Sequence, residues 1–213
     1  MVESFVGHLG RAKVLTTAHF RGDSDDPWRA LATRRRSKIR FLAIAWRRPP
    51  LHCVKLNTDA SICDGQGAGG GLLRDHESKI IFAFYNEFGE VDVLTAECLA
   101  LLHGLRMCSV AFRERLLVEV NSNSLALLVS SRGSSQWPLC NFVRQIRHLV
   151  LSFSAAVRHT FREGNSAADR LAGSKLGRDW VTTSLANLPG EVRAAVLLDG
   201  RGFANVRVQR IRE

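Results

Sequence analysis

Three β-like runs follow one another between His52 and Phe88 with only short connections, and this succession constrains the fold more than any other feature. HCVKLNTDAS (52–61) alternates Cys53, Lys55, Asn57 and Asp59 with Val54, Leu56 and Thr58, the period-two pattern of a strand. The glycine-rich DGQGAGG (64–70) turns the chain into a second strand, AGGGLLRD (68–75), and DHESK (75–79) leads to a third, IIFAFYNEF (80–88). Such short connections join antiparallel neighbours. The glycine stretch also holds a nominal GxGxxG, but the chain continues as GLLRD and not as a helix, which argues against a dinucleotide-binding βαβ unit.

Beyond this meander the period changes. VLTAECLALLHGLRMCSVAF (93–112) places Leu94, Glu97, Leu101, Leu105 and Cys108 at three- and four-residue steps, one stripe of a helix with Thr95 near its N-terminus. A carboxylate on such a stripe costs free energy unless it is paired, so Glu97 calls for a metal, an arginine or a donor at a helix start. RLLVEVN (115–121) reads as a strand, SLALLVSS (124–131) and WPLCNFVRQIRHLVLSF (137–153) as helices, and AAVRHTF (155–161) as a last strand. NSAADRLAGSKLG (165–177) reads as a helix capped by Asn165 or Ser166. The order βββαβααβα predicts an α/β fold: a mixed five-stranded sheet, three antiparallel strands followed by parallel ones, flanked by helices.

The 213 residues, 46% of them hydrophobic, suffice for one full core. No apolar run approaches the roughly 18 residues of a membrane span, so no membrane partner is expected. Five cysteines without CxxC spacing argue against a disulfide framework or a zinc site. The formal charge of +10 is uneven: residues 1–50 hold 11 Lys and Arg against 4 Asp and Glu, whereas residues 51–175 hold 13 against 12. The double proline of WRRPP (46–50) marks the boundary. The expected organisation is a basic, poorly ordered arm over 1–50, a domain over 51–175, and a tail over 176–213 that packs on or extends from it. The densest basic stretch, TRRRSKIR (33–40), offers Arg34, Arg35, Arg36, Lys38 and Arg40 to a polyanion, nucleic acid above all. A nuclear import signal or a solvated segment accounts for it equally well. A nuclear or cytoplasmic location is expected, with organelle targeting left open; oligomeric state is not legible.

Asp59 near the end of the first strand, Glu97 in the first long helix and Asp169 in the last helix lie far apart in sequence, yet each belongs to an element able to pack at the centre of the sheet, where clefts form beside strand ends. Taken singly, Asp59 has an ordinary reading as a turn residue, Glu97 as a helix-start residue and Asp169 as a partner of Arg170 or Arg162. Facing one cleft together, three carboxylates repel unless cations neutralise them. Mg²⁺ suits hard oxygen ligands, and two such ions about 4 Å apart can activate a water and hold a leaving oxygen in phosphodiester hydrolysis.

In order and spacing, VKLNTDAS with GGGLLRD, TAECLALLHGL, VEVNS and VRHTFREGNSAADRLA resemble the type 1 ribonuclease H domain, especially its plant retroelement-derived form, over roughly residues 46–175. The tail LPGEVRAAVLLDGRGF also looks like that group. The resemblance implies Mg²⁺ or Mn²⁺ as cofactor, an RNA–DNA hybrid as partner, and Asp59, Glu97 and Asp169 as metal ligands. It matches His159 to a histidine that assists proton transfer or product release, and Asn165 to the family's asparagine. Asn121 departs from it, standing where the family carries a further aspartate. An amide oxygen touches a cation without bringing charge. At an effective dielectric near 20, that lost charge removes on the order of 8 kcal/mol gross beside a dication, before desolvation offsets part of it. Glu119 points to the same face but lies roughly 7 Å back along the strand. The expected function is therefore hybrid binding with impaired hydrolysis of the RNA strand. A catalytically inactive nucleic-acid-binding module is the alternative, and a purely structural domain left over from a retroelement a third. Arg162 and Glu163 read as a surface ion pair or loop anchor, and the four tryptophans as core or boundary packing. No nucleophile-elbow pattern supports a serine hydrolase.

Overall fold

The computed structural model describes residues 38–108, 115–131 and 136–211. Its elements run β1 (Lys38–Ala45), β2 (Cys53–Cys63), β3 (Gln66–Arg74), β4 (Ile80–Glu90), α1 (Val93–Met107), β5 (Arg115–Val120), α2 (Asn123–Ser130), α3 (Leu139–Ser152), β6 (Val157–His159), α4 (Ser166–Ala172), β7 (Trp180–Thr182), α5 (Gly190–Gly200) and β8 (Ala204–Ile211). A short 3₁₀ turn, Arg162–Gly164, precedes α4. Two compact units divide the described chain: residues 43–207, and residues 38–42 with 208–211. No helix among the described residues is long and apolar enough to cross a membrane.

The main sheet has the order β6-β5-β2-β3-β4-β7. β2, β3 and β4 pair antiparallel, and β5 and β6 add in parallel, as the order of sequence periods predicts. A sixth strand joins from the tail, where Trp180–Thr182 pairs antiparallel with Ala83–Tyr85 of β4. The segment read as an arm contains β1, which pairs with β8 in a separate two-stranded sheet, and Trp46 after it is buried. Arg34, Arg35 and Arg36 lie outside the described residues; Lys38 opens β1 and Arg40 is exposed on it.

The β2–β3 hairpin closes on Asp64 and Gly65, both at positive φ (51° and 77°), with Cys63 paired to Gln66 across them. Two left-handed residues give the loop a twist that matches the flanking strands, hence the Asp-Gly sequence. Each face of the sheet carries its own core. Val54, Leu56, Leu73, Phe82, Phe84 and Val118 pack on one side with Leu101 and Leu105 of α1, Leu125 of α2 and Ile146 of α3. Leu72, Ala83 and Tyr85 pack on the other with Leu171 of α4 and Val192 and Val196 of α5.

Successive glycines of β3 bring both layers close. A Cβ at Gly69 would stand 2.7 Å from Cβ of Ala100 in α1, and one at Gly70 would stand 2.7 Å from the backbone nitrogen of Ala172 in α4. Successive strand residues face opposite sides, so α1 and α4 press on β3 from opposite faces at neighbouring positions. Gly70 is also the register partner of Asp59 on β2. The helices that carry Glu97 and Asp169 are thus drawn in beside Asp59.

Candidate metal and nucleic-acid site

Asp59 sits near the middle of β2, 1% exposed, where its Oδ1 accepts from the backbone N–H of Ala60 at 2.8 Å. Glu97 lies in the second turn of α1, 6% exposed. The N-cap of that helix is Asp92, whose carboxylate accepts from Thr95 N at 3.0 Å; the hydroxyl of Thr95 donates to the same carboxylate at 2.5 Å. Asn121 follows directly on β5, where the parallel register carries it next to Asp59, and its Nδ2 donates to Asp59 Oδ2 at 2.9 Å. Ser122 then caps α2 by accepting from Leu125 N at 3.2 Å. Asp169, half-buried in α4, accepts from Arg162 Nε at 2.7 Å, and a terminal nitrogen of Arg162 reaches the same oxygen.

Asn165 stands at the N-cap position of α4, but its side chain does not cap the helix. Its Nδ2 donates to the carbonyl of Thr58 at 2.9 Å, tying the start of α4 to the residue before Asp59. Its Oδ1, the atom that would accept from a helix N–H in a cap, is buried without a hydrogen-bond partner.

The charges respond to this crowding. Burial, and next the charge of Asp169, push Asp59 up to about 7 against the bonds from Ala60 and Asn121. Burial, and next the neighbouring Asp59, push Glu97 up to about 9. Asp59, Glu97, Asn121 and Asp169 therefore share one electrostatic neighbourhood. His159 is exposed on β6, in register with Val120, the residue before Asn121, and its ring stands edge-on to Phe161 at 5.7 Å between centroids.

Hard oxygen donors suit Mg²⁺, and two oxygens here, Glu97 Oε2 and Asn121 Oδ1, are buried without a hydrogen-bond partner. These fit a cation. Among the described residues, however, no group of three or more His, Cys, Asp or Glu is arranged to hold a metal ion. Arg162 occupies Asp169, and Asn121 supplies a donor where a third nearby carboxylate would have supplied an acceptor.

Below the site on the same face of β2 lies a buried polar cluster that the sequence reading missed. Arg74 is 0% exposed; it donates to Asp199 Oδ2 at 2.9 Å and to Asn57 Oδ1 at 3.2 Å, and lies over the Trp46 ring at 3.7 Å. Trp46 Nε1 donates to Asn57 Oδ1 at 2.8 Å. Lys55 Nζ pairs with Glu119 at 2.6 Å, so Glu119 is engaged there and does not substitute for the carboxylate missing at Asn121. The available signal was the alternation of Lys55, Asn57 and Asp59 along one face of a strand whose other face is apolar.

The family model described as reverse transcriptase-like matches residues 57–175, which include all four site residues. The chain belongs to this family. Over 133 residues it is 30% identical to a provisionally named ribonuclease H protein of Arabidopsis thaliana, covering 61% of this chain but only 21% of that relative. Among solved structures it resembles ribonuclease H1 of the halophilic archaeon Halobacterium salinarum (TM-score 0.53, 21% identity, 59% of this chain and 98% of that one). It also resembles the LC11 ribonuclease H1 crystallised with an RNA/DNA hybrid (TM-score 0.53, 19% identity, 58% and 96%). At these identities the likeness shows the fold, which is ribonuclease H-like.

Proposed function

We propose that this reverse transcriptase-like domain binds RNA–DNA hybrid and hydrolyses its RNA strand weakly, in a lineage derived from plant retroelements. The observation that carries the reading is the meeting of Asp59 and Glu97 with Asn121 beside the end of β5, where Glu97 Oε2 and Asn121 Oδ1 are buried acceptors left unpaired. Asp59, Glu97 and the amide oxygen of Asn121 would hold one Mg²⁺ or Mn²⁺, with Asp169 as the further ligand that the resemblance implies. Bound there, the ion would polarise a water and steady the leaving oxygen. The chain's own residues hold two carboxylates in a dry setting, and Asn165 fixes β2 against α4 so that Asp59 and Asp169 stay adjacent. The known relative crystallised with an RNA/DNA hybrid supports the choice of partner. Duplex shape and 2′-hydroxyl contacts, with no base reading, would select the hybrid. The basic stretch from Arg34 to Arg40 would add a salt-dependent attraction to its phosphates.

A second reading, an inactive nucleic-acid-binding module, is favoured by the donor that Asn121 presents to Asp59 and by the engagement of Asp169 with Arg162. One assay separates the two: cleavage of a labelled hybrid in Mg²⁺ or Mn²⁺ by the natural chain beside Asn121→Asp. Activity in both supports a weak nuclease. Activity only after the substitution supports a disabled site. Activity in neither, with salt-sensitive hybrid binding retained, supports the binding module.

A further inference from the structure

A cation of the chain itself, Arg162, stands beside the carboxylates of the cleft. Arg162 lies in the 3₁₀ turn ahead of α4 with its side chain 71% exposed, yet two of its nitrogens converge on one oxygen of Asp169. An exposed ion pair ordinarily gains little, because two flexible side chains must be held in one geometry. Here the backbone that carries the arginine is already held. Asn205 of β8 donates Nδ2 to the carbonyl of Glu163 at 2.8 Å, and Arg207 of β8 reaches both carboxylate oxygens of Glu163 at 3.1 and 3.3 Å. The same Arg207 lies over the Phe161 ring at 4.5 Å. From β1, Cγ2 of Ile44 approaches so closely that a Cβ at Gly164 would meet it at 3.2 Å. The turn Phe161–Gly164 is thus held at Phe161, Glu163 and Gly164, on both sides of Arg162.

We propose that Arg162 is a built-in counter-cation that competes with a divalent ion for Asp169, and that β8 sets this latch by clamping Glu163. The inference rests on the reading of the cleft as a cation site. Glu97 Oε2 is a buried oxygen without a hydrogen-bond partner, and Asp169 in the same cleft has its Oδ1 engaged by Arg162. Arg162 supplies one positive charge from the chain itself, on Oδ1 of Asp169. A cation binding Oδ1 of Asp169 displaces the guanidinium, and one binding the other oxygen meets its charge; the exposed position of Arg162 gives it solvent to swing into.

The test is calorimetric titration of Mg²⁺ into the full chain at fixed pH and salt, for the wild type, Arg162→Gln, Arg207→Gln and Arg170→Gln. Arg170 is the control, an exposed arginine of α4 that pairs instead with Glu191 at 3.1 Å. Release of an exposed pair predicts that Arg162→Gln binds Mg²⁺ about threefold to tenfold more tightly. Arg207→Gln should shift the same way by a smaller factor, and Arg170→Gln should stay at the wild-type value. Thermal melts without metal establish that each variant is folded. Equal or weaker binding by Arg162→Gln, or an equal gain in Arg170→Gln, overturns the latch and leaves the cation site standing. Absence of Mg²⁺ binding in every protein overturns the cation site, and the latch with it.

Discussion

Asn121 donates Nδ2 to Oδ2 of Asp59 at 2.9 Å, so the residue at the end of β5 acts on its neighbour as a hydrogen-bond donor, the reverse of what a metal ligand does. The bond pulls Asp59 down while burial and Asp169 push it up. The amide thereby does without metal part of what a cation would do for Asp59.

Replacing that amide with a carboxylate should make the site dependent on metal. In Asn121→Asp the bond to Asp59 becomes a like-charge contact, and the metal-free protein should lose about 1–2 kcal/mol at pH 8. Mg²⁺ affinity should rise about tenfold or more, since a unit charge next to a dication is worth several kcal/mol before desolvation. Melting curves in EDTA and in Mg²⁺ read the two effects with opposite signs. Unchanged Mg²⁺ affinity would refute the assignment of this position.

The pH dependence follows from Asp59 and Glu97, raised by burial to about 7 and about 9 from ordinary values of 3.8 and 4.5. Between the unfolded and folded values the folded state binds more protons. Its contribution to stability is therefore full below about pH 4 and is lost as pH climbs through 7 and then 9. Metal-free melting temperature should fall from pH 6 to pH 9, by roughly 2–4 °C for each kcal/mol lost. Mg²⁺ holds the carboxylates ionised, so its binding releases protons and strengthens with pH. Glu97→Gln should remove most of the metal-free slope, which separates this effect from the relaxing self-repulsion of a chain of net charge +10. A slope that is the same in wild type and Glu97→Gln would count against the pairing of these acids.

The strand order was legible in the sequence periods, and so was the oddity of Glu97 on an apolar helix stripe; Asp59 and Asp169 stood on elements able to pack at the centre of the sheet, and it was the family resemblance that joined them with Asn121 into one site. Other features depend on partners distant in sequence. Arg74 ends an apolar run like any surface arginine, and only Asp199, 125 positions later, and the Trp46 ring explain its burial. Trp180 looked like boundary packing because three residues give no period, and its role as an edge strand comes from β4. Trp137, read in the same way, is 78% exposed. Asn165 or Ser166 was expected to cap α4; Asn165 stands at that position without a side-chain cap bond, and its Nδ2 serves the carbonyl of Thr58, 107 positions away.

The close approach of α4 to the sheet gives a test of how the site is assembled. A methyl group at Gly70 would stand 2.7 Å from Ala172 N and 3.0 Å from Leu171 C, both backbone atoms that move only with the helix. Gly70→Ala should cost about 1–3 kcal/mol in denaturant unfolding and weaken Mg²⁺ binding, because Asp169 moves away with α4. Gly190→Ala meets nothing within 4 Å and serves as the control for loss of a glycine. Equal stability of the two variants would show that α4 does not depend on the gap at Gly70.

The buried pair of Arg74 and Asp199 predicts that the tail is part of the folding unit. Both side chains are removed from water, at 1% and 3% exposure, and they join β3 of the matched domain to α5 beyond it. Asp199→Ala leaves the buried guanidinium without its ion-pair partner, beside Asn57 Oδ1, the Trp46 face and the more distant charge of Glu119, and should cost about 3–5 kcal/mol. The double variant Arg74→Met with Asp199→Leu removes both charges and should recover most of that loss, because desolvating two ions offsets much of their attraction. Chemical unfolding of the three proteins, with the wild type as reference, reads the difference. A double variant as unstable as Asp199→Ala would mean that the pair itself, and not the avoidance of a lone buried cation, holds α5 to the sheet.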